Sequence, residues 1–152
     1  MQVPIPIRRQ GYRIAHRVLR SWWFVVRPHV QGVKCALTDG DRVLLVRHTY
    51  GHSEWDMPGG GIRRGEQPIV AARREMEEEL GIRLDDLRSV GEIRGRAYQA
   101  HDRIYCFHAE LSAPELTIDH GELEEARWFP RSEMPSELSR YVALILGRVK
   151  PA

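Results

Sequence analysis

A chain of 152 residues with 42% apolar side chains is long enough for one domain built on one core. Its net charge of +2 is too mild to argue for nucleic acid or an anionic membrane as the partner. The only two cysteines, Cys35 and Cys106, stand in apolar, strand-like contexts without metal-type spacing, and are expected to be buried free thiols of a reducing cytoplasm.

Met1 to Gln10 carries two prolines in VPIPI and reads as an extended arm. From Tyr12 to Val26, residues Ile14, Val18, Trp22 and Val25 recur on one stripe, with Arg13, Arg17 and Arg20 largely off it. That spacing predicts a helix, ended by Pro28. Its longest uncharged apolar run, Trp22 to Val26, is too short to span a bilayer, and no signal-peptide pattern precedes it. The helix is expected to pack on the domain or on a second subunit, which leaves a homodimer open, rather than to associate stably with a membrane. Residues 1–28 therefore form an arm and helix, and residues 29–152 a single domain without repeats or linkers.

Val30 to Thr38 and Arg42 to His48 read as two strands joined by a turn at Asp39-Gly40-Asp41. Arg47, at the end of the second strand, is a candidate phosphate ligand, being always charged and able to bind bidentately. The following loop, TYGHSEWDMP, brings the aromatic candidates Tyr50 and Trp55, the latter either facing a ligand or bracing the loop. Gly59-Gly60-Gly61 permits close approach of the backbone to a ligand.

A helix follows, with Gln67 at its N-cap, Pro68 at its first position and Gly81 just past its end. Ile69, Ala72, Met76 and Leu80 make an apolar stripe. At 100° per residue, Glu75 and Glu79 lie about 40° apart with Glu78 beside them, so three carboxylates share one face. They form either a solvated acidic face eased by Arg73 and Arg74, or oxygen ligands for a hard divalent cation, Mg²⁺ or Mn²⁺. Glu66, in the turn before the helix, is expected to pair with an arginine such as Arg74. Leu87 to Tyr98 and Arg103 to Leu111 read as strands, Ser112 to Gly121 as a loop, and Arg127 to Phe129 as a closing strand. Ser139 to Val149 predicts a terminal helix whose Leu144-Ile145-Leu146 run packs on the core.

The stretch GGIRRGEQPIVAARREMEEELGI, from Gly60 to Ile82, resembles the signature of the Nudix hydrolase family at every fixed position: Gly60, Glu66, Arg74, Glu75, Met76, Glu78, Glu79, Gly81 and Ile82. A chance match at ordinary residue usage is far below about one in a million. The resemblance implies an α/β fold, an α/β/α sandwich around a mixed central sheet, here with an N-terminal helical extension. It implies metal-dependent hydrolysis of a diphosphate bond in a nucleoside diphosphate linked to another moiety, a small-molecule nucleotide. A non-catalytic nucleotide-binding module on the same fold is the alternative. It further implies that a carbonyl at Gly59 or Gly60 joins Glu75 and Glu79 on the metal, with Glu78 a further ligand or a water-mediated one. By spacing from Trp128, Glu122 is the candidate for the additional glutamate, ligand or base, that the family often carries before its closing strand. Tyr98 lies roughly where some diadenosine-polyphosphate hydrolases of the family carry a tyrosine, which makes it a substrate candidate, with core or sheet packing as the other reading.

Overall fold

The structure, a computed structural model, describes residues 31–49, 53–97, 100–112 and 114–150. The expected N-terminal arm and helix at residues 1–28, and the candidates Tyr50 and Tyr98, lie outside the described residues. Among the described residues, six strands, β1 (Gln31–Asp39), β2 (Arg42–His48), β3 (Gly59–Gly61), β4 (Arg88–Ala97), β5 (Ala100–Glu110) and β6 (Leu123–Pro130), accompany two helices, α1 (Pro68–Leu80) and α2 (Arg140–Leu146). The strands form one sheet in the order β4-β5-β1-β2-β6, with β3 also paired to β1. β1 and β5 run parallel while the other pairs are antiparallel, so the sheet is mixed, as expected.

Side-chain alternation splits the core in two. Val33, Cys35, Leu37, Leu44, Val46 and Phe107 pack against Ala72, Met76 and Leu80 of α1. Ala36, Val43, Leu45, Ile104 and Cys106 pack with Val142 and Ile145 of α2 on the opposite face. The unbroken apolar runs of β1 and β2 thus reflect burial from both sides. Both cysteines are buried and free.

The β1–β2 hairpin departs from expectation. Its turn is as read, with Gly40 at φ +61°, but the strands pair only at Thr38↔Val43 and Asp39↔Arg42. Beyond that they splay, and the segment from Asp56 to Gly61 wedges between them. Val46 and Asp56 exchange two backbone hydrogen bonds of 2.9 Å, and the Cys35 N–H donates to the Pro58 carbonyl at 2.9 Å. The glycines of β3 then pair with β1, placing Gly59 opposite Lys34 and Gly60 opposite Val33. Only glycine fits the first of these positions: its φ is +152°, and a Cβ there would lie 2.0 Å from the Val33 carbonyl oxygen.

Helix α1 begins and ends where its sequence signals predict, with Gly81 left-handed at φ +68° and its N–H bonded to the Glu77 carbonyl. Gln67 occupies the N-cap without a side-chain capping bond. α2 is shorter than expected. Ser139 caps it, its Oγ accepting from the Tyr141 N–H, and Val142 and Ile145 turn inward. Leu144 is half exposed, because three consecutive helical residues, 100° apart, cannot all face the core. Among the described residues no helix is long and apolar enough to cross a membrane.

Candidate active site

Helix α1 supplies Glu75 and Glu79, one turn apart on the side that packs toward the sheet. The loop before β6 supplies Glu122. This loop is laced to the end of α1 by backbone bonds, the Thr117 N–H donating to the Leu80 carbonyl and the Asp119 N–H to the Glu79 carbonyl, both at 2.9 Å. Its last turn is closed by the Glu122 N–H on the Asp119 carbonyl at 3.0 Å. The result brings oxygens of Glu75, Glu79 and Glu122 within 4.8 Å of one another. All three residues are buried, at 3%, 2% and 5% exposure. The solvated-face alternative therefore does not hold for Glu75 and Glu79; Glu78 alone of the helical three stays partly exposed.

The glycine strand forms the facing wall. The Gly59 N–H donates to Glu79 Oε2 at 3.1 Å, and a Cβ at Gly60 would lie 2.5 Å from the Glu75 carboxyl carbon. Burial, and then the charges of Glu75 and Glu122, push the Glu79 carboxyl well above its ordinary value, against the pull of the Gly59 N–H and Lys34.

Arg74 orients the outer side of the cluster. Its Nε and Nη2 donate to the two oxygens of Glu66 at 2.8 Å each, so the expected pairing of these residues is bidentate. Nη1 reaches Glu75 Oε1 at 2.6 Å and Glu78 Oε2 at 3.3 Å, and Nη2 also donates to the Gly61 carbonyl at 2.9 Å. Burial works against the Arg74 cation, but Glu66 and Glu75 outweigh it and hold the group above its ordinary value. The hydrogen bonds from Arg74 hold the Glu66 carboxyl below its own.

The donor set, all hard oxygens on a rigid helix and a glycine wall, fits a hard divalent cation. The geometry brings together Glu75, Glu79, Glu122 and the backbone of Gly59 and Gly60.

It does not bring Arg47 and Trp55 to the same place. Arg47 follows Val43 and Leu45 onto the α2 face, where its guanidinium lies 4.6 Å over the Trp55 ring. Trp55 is 4% exposed, stacks edge-on against Phe129 at 4.9 Å, and exchanges backbone bonds with Glu137 and Ser139, just before α2. The bracing role is the one its burial allows, since almost no indole surface is left for a ligand. Three residues on the α2 side of the glycine strand escaped the sequence reading: Lys34, Asp56 and Ser139, which meet in one hydrogen-bonded node. Only the position of Asp56, three residues before Gly59, hinted at it.

A family model described as the NUDIX domain matches residues 28–145. An RNA pyrophosphohydrolase of Rhodospirillum rubrum is 46% identical over 142 residues, covering 82% of this chain and 82% of that protein. A NAD-capped RNA hydrolase NudC of Stutzerimonas stutzeri is 28% identical over 127 residues; the match covers 76% of this chain but only 45% of that relative's length. Among solved structures, a MutT NUDIX hydrolase from Burkholderia pseudomallei superimposes with a TM-score of 0.73 at 24% identity, covering 82% of this chain and all of the other. The NUDIX domain of Shewanella oneidensis NrtR, solved with ADP ribose, gives a TM-score of 0.67 at 19% identity, covering 80% of this chain and 87% of that one.

Proposed function

This chain belongs to the Nudix family, and from that premise we propose how its buried carboxylates serve the reaction. The reaction is hydrolysis of a diphosphate bond in a nucleoside diphosphate linked to another group. The observation that carries the site assignment is the convergence of Glu75, Glu79 and Glu122, buried and within 4.8 Å, on the backbone of Gly59 and Gly60.

Glu75, Glu79 and a main-chain carbonyl at Gly59 or Gly60 hold the cation, Mg²⁺ or Mn²⁺. Such an ion would supply positive charge to the diphosphate and would lower the pKa of a nearby water. Arg74 keeps Glu75 oriented, and the Gly59 N–H does the same for Glu79. Glu78, partly exposed at the rim, contributes directly or through water. Glu122 closes the third side as ligand or proton acceptor. Of the substrate candidates, Arg47 sits beside the Glu122 end of the sheet, because its neighbour His48 pairs with Leu123. Its guanidinium lies over the Trp55 ring on the α2 face, away from the carboxylates, so Arg47 and Trp55 are assigned to bracing that end of the sheet and not to the diphosphate.

The substrate is a nucleotide. The 46% identity to an RNA pyrophosphohydrolase favours a second form of it, the 5′ end of an RNA, over the expectation that nucleic acid plays no part. The buried free thiols suit a reducing cytoplasm.

The test is a substrate screen under Mg²⁺ and Mn²⁺ with product analysis, covering dinucleoside polyphosphates, sugar nucleotides, nucleoside triphosphates and 5′-triphosphorylated RNA. Release of a nucleoside monophosphate, a monophosphorylated RNA end or pyrophosphate is expected. Calorimetric binding without any phosphate-containing product would reduce the protein to a nucleotide-binding module.

A further inference from the structure

The node formed by Lys34, Asp56 and Ser139 has entered the chemistry so far only through the pull of the Lys34 charge on Glu79. Asp56 Oδ2 accepts from Lys34 Nζ at 2.5 Å, while Oδ1 accepts from Ser139 Oγ at 2.7 Å and from the Met57 N–H at 2.8 Å. Lys34 also donates to the Met57 carbonyl at 3.4 Å and lies 5.4 Å over the Tyr141 ring. One carboxylate therefore ties together β1, the wedge and the first turn of α2. Both partners of the ion pair are largely buried, with side-chain exposures of 13% and 17%.

A buried ion pair is weak ground for stability, because desolvation offsets most of its attraction; its best-attested use is to fix a register. The register at stake is that of the glycine strand against β1, in which Lys34 itself faces Gly59. That alignment aims the Gly59 N–H at Glu79 and sets Gly60 against the Glu75 carboxyl. A slip by one residue would bring either Pro58, which has no N–H, or Gly60 to the place of the donor, and in both cases would undo the fit of the two glycines to Glu79 and Glu75.

We propose that Asp56, with Lys34 and Ser139, is a positioning residue for the carboxylate trio, acting through Gly59 and Gly60 and touching neither cation nor substrate. The inference rests on the reading that the trio holds a divalent cation. Asp56→Asn keeps the side-chain size and loses the charge toward Lys34. Ser139→Ala removes one tie, and Ser139→Thr restores the hydroxyl. Glu110→Gln is the control: it loosens the distant turn, where Glu110 accepts from Thr38 Oγ1 and from the Gly40 N–H.

Two readouts need no turnover: Mn²⁺ affinity by electron paramagnetic resonance of the free ion, and hydrogen exchange of the Gly59 amide in chelator. Both are read well below every variant's melting temperature. Asp56→Asn and Ser139→Ala should weaken Mn²⁺ binding by about tenfold or more, in the range seen when outer-shell partners of metal ligands are removed. They should also speed Gly59 exchange, and lower kcat by a similar factor with KM changed less than about twofold. Ser139→Thr should recover affinity, and Glu110→Gln should leave it unchanged at a comparable loss of melting temperature. Mn²⁺ affinity and Gly59 exchange within about twofold of wild type in Asp56→Asn would reduce the node to a structural tie and overturn the inference. A wild-type chain that binds no Mn²⁺ would instead remove the cation reading itself, and this inference with it.

Discussion

Replacing Glu79 by glutamine should make the cation-free protein more stable, not less. Oxygens of Glu79, Glu75 and Glu122 lie within 4.8 Å of one another. At an effective dielectric constant of about 20, each such pair of charges repels by about 3–4 kcal/mol. The carboxylate escapes part of this by taking up a proton. At neutral pH the penalty is thus capped by the distance from its ordinary value of 4.5, at about 3.4 kcal/mol. Glutamine removes the repulsion, can still accept from the Gly59 N–H, and can donate its amide to a neighbouring carboxylate. We expect a gain of about 2 kcal/mol in chelator at pH 7, or roughly 4–8 °C in a domain of this size. The folded-state value lies above the unfolded one, so the wild type binds the extra proton only when folded. Its stability from this group is complete below about pH 4.5 and falls as pH rises toward the folded value. The gap between Glu79→Gln and wild type must therefore widen from pH 5 to pH 8. The assay is thermal unfolding in EDTA across that range, repeated with excess Mg²⁺. Magnesium should raise the wild-type melting temperature more than the variant's, and the variant's turnover should fall by orders of magnitude. A variant less stable than wild type in EDTA at pH 8, or a gap independent of pH, would refute the argument.

Gly59→Ala should cost at least about 4 kcal/mol and leave little soluble protein, because its Cβ would meet the Val33 carbonyl at 2.0 Å. Gly40→Ala, with φ +61° but nothing within 4 Å of its Cβ, should cost only about 1–2 kcal/mol; urea unfolding of the two separates backbone strain from collision. Arg74→Met should destabilise by about 3–5 kcal/mol, since Glu66 and Glu75 lose their countercharge while staying buried. Adding Glu66→Gln should recover part of that loss, a coupling that a double-mutant cycle in urea would measure.

How much of this was legible in the chain depended on the range of the signal. The ends of α1 were written locally, in Pro68 and Gly81, and the structure keeps them. The spacing of Glu75, Glu78 and Glu79 placed them on one side of a helix. It did not reveal that the glycine strand and the Glu122 loop cover the first and third but leave the second at the rim. The loop is fastened by backbone bonds from Thr117 and Asp119 to α1, which leave no trace in a side-chain pattern. The hairpin turn at Gly40 was clear, but its local signal could not report that a segment some twenty residues later displaces most of the expected strand pairing. The position of Arg47, by contrast, was available: period-two alternation from Val43 and Leu45 already put it on the face away from Leu44 and Val46. The outward turn of Leu144 was equally available from helical geometry.

The parallel pairing of β1 with β5 also bears on how the protein is born. Gln31 must find Arg103, and the run of contacts from there to Thr38↔Glu110 forms only after a long stretch of intervening chain has been synthesised. High contact order of this kind slows folding and delays completion of the central sheet. The three acidic groups come from segments on both sides of that closure, so a nascent chain emerging from the ribosome has no cation-binding centre until nearly all of it is available. Affinity for manganese is therefore a measure of finished topology, and a chain truncated before β5, lacking both the parallel partner of β1 and Glu122, should show none.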